Sequence, residues 1–401
     1  MSANFSNSDL GLYVHWPFCL SKCPYCDFNS HVSSAHDDDA FGSALCNEMT
    51  HMATLLPNKR VLTSIFFGGG TPSLMPPAVV AKIINHAEKI FGFAPTIEIS
   101  AEANPTSVEA KMMAEFFHAG VNRLSMGVQS LDNDILEFLG RTHNVSEAFA
   151  ALKTVRRNFT NLSIDLMYAT AGQTLKSWQA ELTQALDLDL PHLSLYQLSI
   201  EPGTVFHTRH RIGEKLNLDD DLAADLFELT QSLTASAGLP AYEISNHAKP
   251  GMACQHNLNY WKAGDWVGIG PGAHGRFYVR SNDNAELCRI NTATRRSPKG
   301  WLESVKTRNH GIGTQTTERS ADCAAEMLLM GLRLVNGIKI DQIEPFCGPQ
   351  DSWLNRSALT QAFEAGWLNW QTDDLNGKNT RLFATASGRL RLNNILAMIL
   401  R

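Results

Sequence analysis

From Ile97 to Leu195 the chain repeats one unusual alternation. Large apolar residues keep one parity: Ile97/Ile99, Leu124/Met126/Val128, Leu162/Ile164/Leu166 and Leu193/Leu195. The other parity carries Glu98/Ser100/Glu102, Ser125/Gly127/Gln129, Ser163/Asp165 and Ser194. Period 2 sends these two sets to opposite faces of a sheet. Stretches of helical period, such as "PPAVVAKIINHAEKIFG" and "SVEAKMMAEFFHAG", separate the runs, so strand and helix alternate and the strands pair in parallel. Helices then cover the apolar face, and the small, polar face must look inward if the sheet curls. A (β/α)₈ barrel normally fills its interior with bulky branched side chains; this interior is lined by serines and carboxylates and is expected to be wet or ligand-filled. The reading is α/β, a partial (β/α)₆ barrel around a ligand.

Seven strands are predicted: Leu12–His15, Thr63–Phe67, Ile97–Glu102, Arg123–Gln129, Ser163–Met167, Leu193–Leu198 and Tyr242–Ser245. The barrel is assigned residues 1–245. Residues 246–315 are richer in Gly, Asn and Arg, lack clean alternation, and are read as a linking extension containing "HNLNYW". From 316 to 401, "CAAEMLLMGLRLVNGIKIDQIEPF", "NRSALTQAFEAGWLNW" and "RLFATASGRLRLNNILAMIL" give helices, a hairpin and a final helix. That order predicts a C-terminal α+β, winged-helix-like domain, and without a basic helix there its use is packing or protein contact.

Over 401 residues the net charge of −6 argues against a general nucleic-acid binder. The N-terminal "MSANFSNSDLGLYV" has neither the basic and apolar regions of a secretory signal nor Arg-rich amphipathic character. No apolar run reaches the ~18 residues of a membrane span. A cytoplasmic protein without a transmembrane segment is expected. Five of the eight cysteines (Cys46, Cys254, Cys288, Cys323, Cys347) are scattered singly and read as small buried hydrophobes.

The remaining three crowd into "CLSKCPYC", as Cys19, Cys23 and Cys26. Thiolate suits zinc, copper(I) and iron–sulfur clusters. A structural zinc would need a fourth ligand, with His15, Asp27 or His31 in reach. A [4Fe–4S] cluster on three thiolates instead keeps one iron open for a substrate or cofactor. Pro24 disfavours a continuous helix, so the ligands form a loop. "FFGGGTPS" follows the second strand and is neither a dinucleotide fingerprint nor a P-loop. Glu102, Gln129 and Asp165 stand at successive strand ends, where parallel barrels place functional groups, and Arg141 offers a fork for a carboxylate.

The C-x3-C-x2-C spacing with Tyr25 before its last cysteine resembles the radical S-adenosylmethionine (SAM) superfamily. The full set "YVHWPFCLSKCPYCDF", "FFGGGTPS", "EANP", "GVQS", "LGRTH", "IDLMY" and "HNLNYW" resembles its coproporphyrinogen-dehydrogenase-like family over nearly the whole chain. The resemblance implies a radical-SAM partial barrel whose Cys19, Cys23 and Cys26 bind a [4Fe–4S] cluster. It implies S-adenosylmethionine at Tyr13, Gly69 and Glu102, and a second cofactor position at Tyr25, Gly70, Thr71, Gln129, Arg141 and Asp165. In the superfamily, one-electron cleavage of the cofactor releases a 5′-deoxyadenosyl radical.

Two departures separate the chain from the oxygen-independent oxidase of that family. The oxidase has another cysteine where Phe28 stands, and it carries an N-terminal extension where only 18 residues precede Cys19 here. The pattern is similar to the sister branch, heme chaperones of the HemW type, which imply heme as cargo and heme-accepting proteins, such as membrane respiratory enzymes, as partners. No residue is assigned a catalytic role. Within "HNLNYW", His256 is either a packing residue or, by that resemblance, a heme ligand, with Cys254 as a further candidate. The alternatives are oxidative decarboxylation of coproporphyrinogen, or another radical reaction of the family.

Overall fold

The computed structural model describes residues 9–33, 36–280, 287–318, 320–347, 353–372 and 380–400. The first eight residues, on which part of the leader reading falls, lie outside them. Six strands form the parallel barrel segment in chain order: β1 (Asp9–Trp16), β2 (Val61–Gly69), β3 (Phe93–Ala103), β4 (Arg123–Gln129), β5 (Asn161–Tyr168) and β6 (His192–Gln197). Each contains or nearly matches its predicted run. A seventh, β7 (Asn246–Ala248), pairs antiparallel with β6.

The expected strand at Tyr242–Ser245 is therefore displaced. The buried Glu243 carboxylate accepts hydrogen bonds from the Ser245 amide and Asn246 Nδ2, both at 2.7 Å, and turns the chain before it can pair. A larger difference lies beyond residue 250. There β8 (Trp266–Ile269) joins β1 in parallel, and β9 (His274–Arg280), β10 (Leu287–Thr294) and β11 (Ile312–Glu318) continue as an antiparallel meander. The resulting sheet has eleven strands.

The alternation places its apolar parity as expected. Leu12, Val14, Ile65, Phe67, Leu124, Met126, Ile164, Leu166 and Leu193 are buried under the covering helices, whose faces complete one core. Helix Pro77–Phe91 shows why the helices sit there: Val79, Val80, Ile83, Ile84, Ala87 and Phe91 make one buried stripe, and Pro at its start and Gly92 after its end fix its limits. Each such large side chain contributes ~1.5–3 kcal/mol on burial.

The inward parity is only partly a cavity. Its lower half is filled by polar side chains that satisfy one another: Ser163 Oγ meets His192 Nδ1 at 2.7 Å, and Ser125 Oγ donates to Asp165 at 2.9 Å. His192 Nε2 continues the chain to the Tyr242 hydroxyl at 3.0 Å. Unpaired, such groups would each cost several kcal/mol.

A second core begins behind the extension with Ala263 and Tyr278 and holds helix Ser320–Gly331, helix Arg356–Glu364, helix Leu392–Ile399 and a three-stranded sheet. This core falls in the region expected to form the winged-helix-like domain. Arg276–Glu326 at 2.7 Å, Arg289–Glu326 and Arg333–Glu243, both at 3.3 Å, tie it to the rest. Among the described residues no helix is long and apolar enough to cross a membrane.

Candidate cluster and cofactor site

After β1 the chain passes through Trp16, Pro17 and Phe18 into the cysteine loop. An aromatic pedestal anchors that exit: Trp16 and Phe41 meet Phe18 edge-on at 5.2 and 5.0 Å, and His36 stacks on Phe18 at 3.8 Å. From the far side, Gly140 at φ +67° packs against Pro24, leaving no room for a Cβ (2.7 Å to Cδ). The loop is thus held between two fixed elements.

Cys19, Cys23 and Cys26 line one cavity of ≈400 Å³ at the C-terminal ends of the barrel strands. Tyr25, Gly69, Gly70, Thr71 and Glu102 share it, as do Gln129, Arg141 and Asp165. The structure thus brings together every expected site residue except Tyr13 and His256.

Each sulfur has a polar neighbour. Thr71 Oγ1 donates to Cys19 Sγ at 3.3 Å, Arg141 Nη1 to Cys23 Sγ at 3.3 Å, and Ser30 Oγ lies 3.8 Å from Cys26 Sγ. Burial pushes the free Cys19 and Cys26 thiols up, so the loop favours thiolates only once a metal shares their charge. Arg141 is a cation held in place by hydrogen bonds. Its Nη2 donates to Asn104 Oδ1 at 2.6 Å and to the Gly127 carbonyl at 2.9 Å, while the capping box of Asn144 and Glu147 fixes the turn that presents it. Its Nε is buried without a partner among the described residues. The donor set fits an iron–sulfur cluster.

A zinc site fits less well. Among the described residues, no three His, Cys, Asp or Glu side chains converge on the space of one ion. His15 is also committed: its Nε2 donates to the Asn29 carbonyl at 3.0 Å, so its Nδ1 accepts from the Tyr13 hydroxyl at 3.0 Å.

Gly69 ends β2 at φ +117°, a conformation that side chains rarely adopt, and the His15 ring fills the space a Cβ would need. Its amide donates to Glu102 Oε2 at 3.3 Å. Burial, and next the Asp165 carboxylate, push Glu102 up to about 8; burial likewise raises Asp165 against hydrogen bonds from Ser194 and Ser125. Gln129 adopts φ 70°, which turns it out of β4 toward the cavity.

Tyr13 lies one layer down and faces two neighbouring cavities, of ≈170 and ≈910 Å³, that share Glu102 with the first. Among residues the sequence did not single out, Asn104, Thr142 and Tyr196 line the first cavity. Asn104 stands inside the "EANP" motif and was recoverable from it; Tyr196 carries no local signal.

Of the two readings of His256, its contacts in this structure are those of a packing residue. Its Nδ1 meets Ser64 Oγ at 2.9 Å and its Nε2 the Tyr260 hydroxyl at 2.7 Å. The ring stacks on Phe66 at 5.1 Å, and the residue is 1% exposed. Glu98 accepts from the Gln255 and His256 amides at 3.0 and 3.2 Å, capping helix Gln255–Trp261. Cys254 is equally committed, its Sγ donating to Glu98 at 3.3 Å. "HNLNYW" is a plug that closes the lower end of the barrel.

Residues 13–184 match the radical SAM superfamily. The chain is 36% identical over 400 residues to the heme chaperone HemW of Escherichia coli (strain K12), covering 98% of each chain. It is 35% identical over 339 residues to the mitochondrial radical S-adenosyl methionine domain-containing protein 1 of Danio rerio, covering 84% of this chain and 76% of that one. HemN of Escherichia coli, a radical SAM coproporphyrinogen III oxidase, superposes with a TM-score of 0.76 at 22% identity, over 97% of this chain and 89% of that one. Fold and motifs define a radical SAM protein. The chain belongs to the HemW branch of the coproporphyrinogen oxidase-like radical SAM family.

Proposed function

We propose that the protein is a heme chaperone in the cytoplasm: Cys19, Cys23 and Cys26 hold a [4Fe–4S] cluster, S-adenosylmethionine binds beside it, and heme is cargo passed to acceptor proteins. The observation that carries the reading is Phe28. It is 59% exposed at the mouth of the cysteine cavity and leaves an apolar ring where the oxidase resemblance calls for a thiol.

When bound, the cluster supplies one-electron chemistry at its open iron. The chain's own contribution is positioning. Arg141 sets a positive charge against Cys23. Gly69 and Gly70 let the backbone approach the cofactor's amino-acid end. Glu102 accepts its ammonium, and Asp165, oriented by Ser125, accepts its hydroxyl donors.

Cluster-loaded protein titrated anaerobically with heme gives a saturable Soret change, and the same preparation with S-adenosylmethionine and reductant leaves coproporphyrinogen unchanged. Conversion to protoporphyrinogen without heme binding would overturn the proposal in favour of the oxidase.

Glu102 adds a pH dependence. A carboxyl raised to about 8 is mostly protonated at neutral pH, whereas a ligand ammonium needs the carboxylate. Cofactor affinity therefore rises as pH increases toward about 8, by roughly tenfold per unit in the acid limb, with release of up to one proton. Calorimetry in buffers of different ionisation enthalpy reads that proton. Glu102→Gln removes the slope; a variant that keeps it takes the ammonium away from Glu102.

A further inference from the structure

On the other side of Phe28 lies a second cavity, which shares Tyr13, Gly69 and Glu102 with the expected cofactor residues and extends beyond them to the antiparallel extension. It measures ≈910 Å³, near the upper end of the ~300–1,000 Å³ that small-molecule sites occupy. Phe28 and Asn29 form one wall, and the antiparallel extension forms the opposite one. The walls are tied together: Asn29 Nδ2 donates to the carbonyls of Pro271 and Arg296, each at 2.9 Å. Gly69 and Glu102 belong to this cavity and to the cysteine cavity alike, so a ligand here would lie edge to edge with the cofactor.

The chemistry of the lining is specific. Phe28 and Trp266 contribute apolar ring surface. His274, the first residue of β9, is exposed. Its backbone carbonyl accepts from Trp266 Nε1 at 3.0 Å, which fixes the residue against the tryptophan. Its ring makes no hydrogen bond or ion pair among the described residues, in contrast to both nitrogens of His256. Arg295 and Arg296 follow β10 at the exposed rim, and among the described residues neither guanidinium has an ion-pair partner. The single carboxylate in the lining, Glu102, lies at the cofactor side.

We propose that this cavity is the heme site, with His274 as the axial ligand, Arg295 and Arg296 as the partners of the two propionates, and Phe28 and Trp266 against the macrocycle. The proposal rests on the heme-chaperone reading and assigns its cargo a place. Burial and the charges of Arg276 and Arg296 hold the His274 imidazole below its usual value, so it is neutral at pH 7, as iron ligation requires. Propionates at exposed arginines stay at the water boundary. An open rim also suits a cargo that must leave, which the closed plug around His256 does not allow.

The test is a heme titration of cluster-loaded full-length protein, wild type against His274→Ala and against the double variant Arg295→Ala/Arg296→Ala. His274→Ala shifts the Soret band away from nitrogen ligation and weakens binding about tenfold or more. The double variant weakens heme binding by roughly tenfold per lost guanidinium contact, but leaves the affinity for heme dimethyl ester unchanged. All three proteins retain the same iron-to-sulfide ratio before heme is added. If wild type binds heme and both variants match it in spectrum and affinity, this site is wrong and the chaperone reading stands. Loss of axial ligation in His256→Ala with retention in His274→Ala overturns the site in the same way. If wild type binds no heme, both readings fall.

Discussion

Replacing any one of Cys19, Cys23 and Cys26 with serine abolishes the cluster: after anaerobic reconstitution, iron falls from about four per chain to near zero, and the visible charge-transfer absorbance goes with it. The three positions are equivalent because each sulfur occupies its own place in one rigid loop. Serine keeps the size of the side chain but replaces a soft, polarisable thiolate with a hard hydroxyl that stays protonated near neutral pH. The neighbouring groups cannot compensate. Thr71 and Arg141 donate to the sulfurs of Cys19 and Cys23 at 3.3 Å and offer no lone pair that softens the metal.

The same experiment separates site from scaffold. Cys46 and Cys323 are buried in the two apolar cores, so Cys46→Ser and Cys323→Ser reduce stability and leave iron content alone. Full iron in Cys23→Ser would remove that residue from the site. S-adenosylmethionine binding measured on the same set then shows how far the cofactor depends on the open iron.

The barrel was legible in the sequence because its two faces differ in chemistry. Leu124, Met126 and Val128 against Ser125, Gly127 and Gln129 is a pattern that only a two-sided strand explains. The extension was not legible, for the opposite reason. In β10, Arg289 reads as a solvated charge, yet it is fully buried, with its guanidinium over Trp266 at 5.6 Å and Tyr278 at 5.3 Å. A strand that hides a cation between aromatic rings loses its apolar signature. Sequence β8, only Trp266–Ile269, is too short for periodicity to speak.

The site divides in the same manner. Cysteine spacing and strand-end polar residues are local, and every one of them except Tyr13 reached the cysteine cavity. The meaning of His256 is not local. Whether an imidazole is a ligand or a plug depends on Ser64 and Glu98, which arrive from β2 and β3, more than 150 residues away. The division into 1–245, 246–315 and 316–401 is a proposal from the sequence, and β8 to β11 are hydrogen-bonded into the barrel's own sheet.

Glu48→Ala is expected to be the most damaging single substitution outside the cluster. Glu48 lies fully buried on helix Asp38–Leu55. Its carboxylate accepts from the Gly270 amide at 2.7 Å, Trp301 Nε1 at 2.8 Å and the Gly311 amide at 2.6 Å. Those donors come from the end of β8, from the helix Pro298–Arg308 and from the approach to β11, so one side chain binds three parts of the extension to the barrel. Alanine leaves three buried donors without an acceptor, at about 1–3 kcal/mol each, for a total of about 3 kcal/mol or more and a fall in melting temperature on the order of 5 °C. The same group makes stability depend on pH. Burial pushes Glu48 up to about 7, against the three hydrogen bonds that pull it down. A carboxyl whose folded pKa is raised contributes stability that is complete below the unfolded value near 4.5 and is lost as pH rises through 7. Urea midpoints measured at pH 6 and pH 8 should therefore fall in the wild type and show a smaller difference in Glu48→Gln, which cannot ionise. Equal midpoints for Glu48→Ala and wild type would sink the assignment. Because Gly272, Gly313 and Thr314 line the ≈910 Å³ cavity, a loosened extension should also weaken heme binding while the cluster, anchored on the opposite wall by Phe18 and Pro24, keeps its iron.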